Sequence, residues 1–174
     1  MRRRPAPQLG EHTAEVVREW ETQASAAGKL GLRVVLLRQG VVLASGGGAL
    51  KQMLPPFKLG LGGKVGNGRQ YMSWIHVDDI VGMVIAALTN DSWSGPINAT
   101  APTPVTNGEF TTALGSVLGR PTFMRVPKAG LKLGLGQMSE VVTGGQRVLP
   151  KRASELEYHW HYNEVEPALR NILG

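Results

Sequence analysis

LRVVLLRQGVVLASGGGALKQMLPPFKLGLGGKVGNGRQYMSWIHVDDIV, residues 32–81, carries the strongest fold signal in the chain. Its unbroken apolar run from Val34 to Leu37 is the pattern of a strand buried on both faces, as in a parallel sheet covered on either side. Upstream, Val17, Trp20, Ala24 and Ala27 recur at helical spacing between Glu11 and Ala27, and Gly28 stands where a helix stop belongs. That pattern makes Trp20 a core residue. A helix leading directly into such a strand is half of an α/β unit.

The same grammar repeats along the rest of the chain. A short helix is expected over Ala49 to Phe57, limited by Pro55 and Pro56, and GLGGKVGNGR reads as a loop. Tyr71 to His76 reads as a strand. Asp78 or Asp79 then caps a helix through Leu88 that has little polar face and is expected to be largely buried. PINATAP is a short strand, and Thr106 with Glu109 forms a capping box before a helix that Gly119 ends. PTFMRVP reads as a strand, Lys128 to Leu135 and Gln137 to Val142 as short helices, and LEYHWHY as extended. Asn163 with Glu166 caps a last helix through Leu173. The alternation is α/β, without internal repeats or low-complexity linkers.

Composition narrows the function. The chain has 174 residues, 42% of them hydrophobic, enough for a real core. It has no cysteine, which excludes disulfides and thiolate metal sites and leaves the cytoplasm as the expected compartment. No apolar run is long enough to span a bilayer, and MRRRPAPQLG reads as a tail without a signal-peptide core. The net charge is +6, but Arg2, Arg3 and Arg4 supply half of it, and basic runs interleaved with aromatics are lacking. Neither nucleic acid nor membrane is an expected partner.

Charge placement is more telling. From Thr22 to Val77 there is no acidic residue, yet the segment carries seven cations: Lys29, Arg33, Arg38, Lys51, Lys58, Lys64 and Arg69. Glycines among scattered cations suit a surface that meets an anion, since glycine lets backbone approach a ligand and Lys or Arg neutralises phosphate. Gly60, Gly63 and Gly66 imitate a dinucleotide fingerprint, but a strand does not precede them and a helix does not follow, so they are not a cofactor loop. His12, His76, His159 and His161 lack metal-ligand spacing, and no Gly-x-Ser-x-Gly elbow is present. WIHVDD places Trp74 and His76 at a strand end, as ligand-facing candidates.

The 32–81 segment, with GPINATAP, the helix after it and GGQRVLPKR, resembles the epimerase-family branch of the extended short-chain dehydrogenase/reductases. These proteins look like nucleoside-diphosphate-sugar epimerases with a small C-terminal domain of uncharacterised function. The likeness spans about Leu9 to Leu173 and corresponds to the C-terminal half of that family. It implies residues 11–100 as the C-terminal part of a Rossmann-type NAD(P)-binding domain with a substrate-loop insertion, preceded by residues 1–10 as a disordered tail read from their composition. Residues 101–174 become a small α/β substrate domain.

The family's Gly-rich strand-turn-helix and Tyr-x-x-x-Lys pair have no counterpart in this sequence, so catalytic residues are not assigned. By resemblance, Arg38, Gly40 and Val42 flank the cofactor, and Lys58, Arg69, Tyr71, Trp74 and His76 line the substrate pocket. NAD or NADP serves the full-length relatives and is not expected to bind this chain alone. A nucleotide-sugar is the implied small-molecule substrate, and self-association through uncovered surface is expected. A non-catalytic binding or assembly module is the alternative.

Overall fold

The computed structural model describes residues 9–126 and 145–174. Helix α1 (Leu9–Ala26) and a 3-10 turn lead into β1 (Val35–Gln39) and β2 (Val41–Leu43), then α2 (Gly48–Lys58) and β3 (Gly63–Val65). Next come β4 (Tyr71–Met72), β5 (Trp74–His76), α3 (Val77–Thr89), β6 (Gly95–Ala99) and β7 (Val105–Thr106). They are followed by α4 (Asn107–Leu118), β8 (Met124–Val126), α5 (Lys151–Glu155) and α6 (Val165–Leu173). The two short helices expected within 128–142 lie outside the described residues.

The fold is α/β, with three parallel strand pairs (β1 with β6, β2 with β5, β3 with β8) and one antiparallel pair (β4 with β7). Strand β1 runs into β2 with only Gly40 between them, and there the chain changes partner. Gly40 N donates to Ala99 O at 3.0 Å, and Val41 N to Ser73 O at 2.8 Å.

Alternation along these strands builds two cores at once, because successive side chains point to opposite faces. Leu43 and Trp74 face one core with Leu50, Leu54, Phe57, Phe110, Leu114 and Leu169, which join α2, α4 and α6. Val42 and Ile75 face the other, with Met83, Trp93 and Ile97 beneath α3. The Thr106–Glu109 capping box forms in full, and Gly119 closes α4 in the left-handed region.

Several expectations fail for identifiable reasons. Trp20 is 69% exposed: within the described chain, no apolar surface covers that side of α1, whose tie to β1 is a bidentate Arg38–Glu21 pair with both contacts at 2.6 Å. That pair holds the Glu21 carboxyl below its usual range through the Arg38 hydrogen bond. Helix α3 buries only Asp79, Met83 and Ala87, leaving Val81, Val84, Ile85 and Leu88 as an exposed stripe at helical spacing. GLGGKVGNGR contains β3, where Gly63 and Val65 are buried and only Lys64 faces outward enough to look loop-like. Helix α2 does keep its expected extent, ending at Lys58 with both prolines in its last turn.

The carboxylates of WIHVDD do not cap α3. Its cap is His76, whose Nδ1 accepts from Asp78 N at 3.1 Å. Asp79 is fully buried and accepts from His161 N at 2.7 Å and Tyr162 N at 3.1 Å, with His161 Nδ1 3.2 Å away. Tyr158 donates its hydroxyl to Asp79 O at 2.8 Å, and Tyr162 stacks on the His76 ring at 4.0 Å. The LEYHWHY segment therefore joins no strand pair and is clasped instead by the start of α3. Glu164, not Asn163, is the cap residue of α6, and its side chain makes no capping bond.

Removing the Asp79 carboxylate strands two part-buried N–H donors and empties a fully buried site, so Asp79→Ala is expected to cost about 3 kcal/mol, read from the urea midpoint. Burial, with the Asp79 charge second, pushes the Tyr158 hydroxyl up to about 12. Its neutral form is thus favoured in the folded state. The associated stability is full below the ordinary tyrosine pKa near ~10 and is lost as pH rises through about 12. Tyr158→Phe should flatten that alkaline loss in denaturation curves taken across the window.

Candidate functional site

Where β1 hands over to β2, the backbone opens into a groove of about 490 Å³ at the C-terminal end of β1. In open α/β folds, the carboxyl ends of parallel strands are where ligands bind. Gln39 to Val42 form its floor, Gly48 and Ala49 one wall, and Tyr71 to Ser73 with Gly145, Gln146 and Val148 the other.

Two close backbone approaches shape it. A Cβ on Gly40 would meet Ser73 O at 2.6 Å, and one on Gly145 would run into the Tyr71 carbonyl. Ser73 then fastens the far wall: its hydroxyl donates to Gln146 O and accepts from Val148 N, both at 2.9 Å. Arg147 lies 5.7 Å from the centre of the Tyr71 ring, a cation over an aromatic face at the rim. Helix α2 begins at the groove with Gly47 as its cap residue, so no side chain satisfies its first N–H groups. Its positive end is left for solvent or an anion.

The residues singled out from the sequence separate into two groups. Gly40, Val42 and Tyr71 line this groove. Arg38, beside it in sequence, is paired with Glu21. Lys58 ends α2 and Arg69 follows the β3 turn; both are exposed and neither lines the groove. Trp74 is wholly buried, its Nε1 donating to Thr103 O at 3.0 Å. His76 is 1% exposed, and its Nε2 has no partner among the described residues.

Ser73, Gly145, Gln146 and Arg147 were not assigned from sequence. The GGQRVLPKR string had stood out, but its juxtaposition with Tyr71 spans more than seventy residues and has no local signal. Of the seven cations in the acid-free run, Arg33 also serves the fold, donating to the Ala87 and Leu88 carbonyls at the end of α3 and to the Trp93 carbonyl beyond it. Among the described residues, no group of His, Asp and Glu could hold a metal, and no helix is long and apolar enough to cross a membrane.

Comparison with known proteins bears on the site. Residues 126–172 match the model named Domain of unknown function (DUF1731). The chain is 50% identical over 168 residues to an Arabidopsis thaliana protein named epimerase family protein SDR39U1 homolog, chloroplastic, covering 97% of this chain and 48% of that protein. The crystal structure of human epimerase family protein SDR39U1 with NADPH superimposes with a TM-score of 0.76 at 40% identity, over 80% of this chain and 48% of that one. A nucleoside-diphosphate sugar epimerase from Corynebacterium glutamicum gives 0.71 at 34% identity, over 92% and 30%. The homologues are thus epimerase family proteins, and the chain spans about half the length of the curated relatives it matches.

Because the obstacle at Gly40 is a backbone carbonyl, Gly40→Ala cannot be relieved by a rotamer change. It should destabilise the chain by about 2 kcal/mol. Amide exchange should quicken at residues 73 and 146–148, as the Ser73 fastening loosens.

Proposed function

We propose that this chain is the C-terminal portion of an NAD(P)-dependent, nucleoside-diphosphate-sugar epimerase-like oxidoreductase, and that it is inactive alone. The groove between Gly40, Gly48 and Tyr71 would form one wall of the cleft in which cofactor and substrate meet. The observation that carries this reading is backbone exposure at the end of β1: Gly40 and Gly48 present main chain rather than side chain, beside the uncapped start of α2. A flat ring or an anionic group can approach such a surface closely. The NADPH in the structure of the human relative supports a nicotinamide cofactor for the complete protein.

The residues present fit only part of that cofactor. A dinucleotide is gripped at its pyrophosphate by a Gly-rich turn between a strand and a helix. Among the described residues, the glycines at 60, 63 and 66 sit after α2 and around β3, which is not that arrangement. The chain's own contribution is therefore to close the far wall and orient substrate. Tyr71 offers a ring at the rim, and Arg147 a fixed positive charge for a phosphate or carboxylate. Proton transfer would come from elsewhere in the complete protein, because no Tyr-x-x-x-Lys occurs here.

In this reading, residues 11–100 belong to the Rossmann-type domain and 101–174 to a substrate domain. Its closest rival is a non-catalytic assembly module, favoured by the exposed stripe on α3 and by Trp20 on α1. Both readings leave apolar surface that a second polypeptide segment would cover.

Two measurements test the proposal. Titrated with NADPH and followed by fluorescence or calorimetry, the chain should show no saturable binding at micromolar concentration; micromolar affinity would overturn the claim that its cofactor grip is partial. Size exclusion with light scattering should report self-association or a broad, low thermal transition. A monomer melting sharply at high temperature would mean that the uncovered faces need no partner.

A further inference from the structure

One cation of the acid-free run neither pairs internally nor stands in open solvent. Lys64, half-buried on β3, is the register partner of Arg125 on β8. Register partners in a parallel ladder project from the same face, on backbones about 4.8 Å apart. Two like charges so placed repel one another. Neither has a side-chain hydrogen bond or ion pair among the described residues.

Both line a hollow of about 780 Å³ bounded by β3, β8 and the first turns of α4 and α6. Two of its carboxylates are committed elsewhere. Glu109 closes the α4 capping box on the Thr106 N–H and hydroxyl, and Glu166 holds Arg170 at 2.6 Å. Glu164 is the remaining acid in the lining. Thr111, only 3% exposed, lines the same hollow with a hydroxyl that has no partner among the described residues. Phe123, 81% exposed, lies two residues before Arg125, so the two project to the same side of an extended segment. Two cations without ion-pair partners among the described residues, a threonine whose residue is 3% exposed, and an uncovered ring line one concavity with Glu164.

We propose that this hollow binds an organic phosphate. The phosphate sits between Lys64 and Arg125, one of its oxygens accepts from the Thr111 hydroxyl, and the apolar portion of the ligand lies against Phe123. A dianion matches the paired cations better than a carboxylate does, and its presence turns their mutual repulsion into shared attraction. The site shares no lining residue with the groove at Gly40, so it stands or falls apart from the oxidoreductase reading.

The test uses the full chain with phenyl phosphate, inorganic phosphate and benzoate at constant ionic strength, followed by amide chemical shifts and thermal melting. Phenyl phosphate should shift Lys64, Gly108 to Thr112 and Arg125 saturably and raise the melting temperature. It should bind more tightly than either inorganic phosphate or benzoate. Arg125→Gln should weaken it by roughly tenfold or more, the scale of a lost charge-assisted contact. The unliganded variant should melt no lower than the parent, because a repulsion has been removed. Lys64→Gln carries the same test if that variant does not fold. Linear, non-saturating shifts would overturn the proposal, as would saturable shifts centred on Gly40 and Ala49, benzoate binding as tightly, or undiminished binding by both variants.

Discussion

The close approach of Gly40 to the Ser73 carbonyl is the constraint on which the remaining architecture depends. One extended segment, residues 35–43, serves two strand pairs, and it can do so only if the chain changes partner within a single residue. Any Cβ at that point would strike main chain. From this crossing follow the two cores, because Val42 and Leu43 leave it pointing in opposite directions. The groove follows as well, because the splayed ends of β1 and β2 leave backbone uncovered. Packing and site are thus consequences of the same missing side chain.

The second organising contact is electrostatic. A fully buried carboxylate is costly unless its oxygens are hydrogen-bonded, and Asp79 meets that requirement with N–H groups from residues 161 and 162. The C-terminal segment thereby becomes part of the α3 N-terminus, and Trp160 and Tyr158 are brought over the core beneath that helix. His76 completes the junction by capping α3 on one side of its ring and stacking on Tyr162. Its Nε2 remains a buried polar atom without a partner among the described residues, and His76 does not line the groove.

Much of the fold was legible in the sequence. Local signals carried α1, α2, the α4 capping box and β1, where helical spacing, a reciprocal Thr–Glu pair and an apolar run each map onto a short stretch of chain. What was not legible depends on distant partners. Asp79 looks like a helix cap in any local window, and only the arrival of residues 158–162 gives its carboxylate another use. Trp74 and His76 looked like exposed amphipaths at a strand end and proved to be core. Arg38 looked free for a ligand until Glu21, just outside the acid-free run, came within reach. The groove's far wall was invisible for the same reason, since residues 145–148 meet Tyr71 and Ser73 only in three dimensions.

The exposed apolar surface has a physical reading of its own. A helix as hydrophobic as α3 is ordinarily enclosed, yet Val81, Val84, Ile85 and Leu88 form a continuous stripe open to water. Strand β1 adds a second open feature, since its only ladder partner among the described residues is β6. Such a stripe and such an edge favour association, because each square ångström of apolar surface withdrawn from water contributes about 25 cal/mol. In the relatives, roughly half of the polypeptide has no counterpart in this chain. The hollow at Lys64 and Arg125 differs from the stripe and the edge in being lined by the first turns of α4 and α6 of this chain.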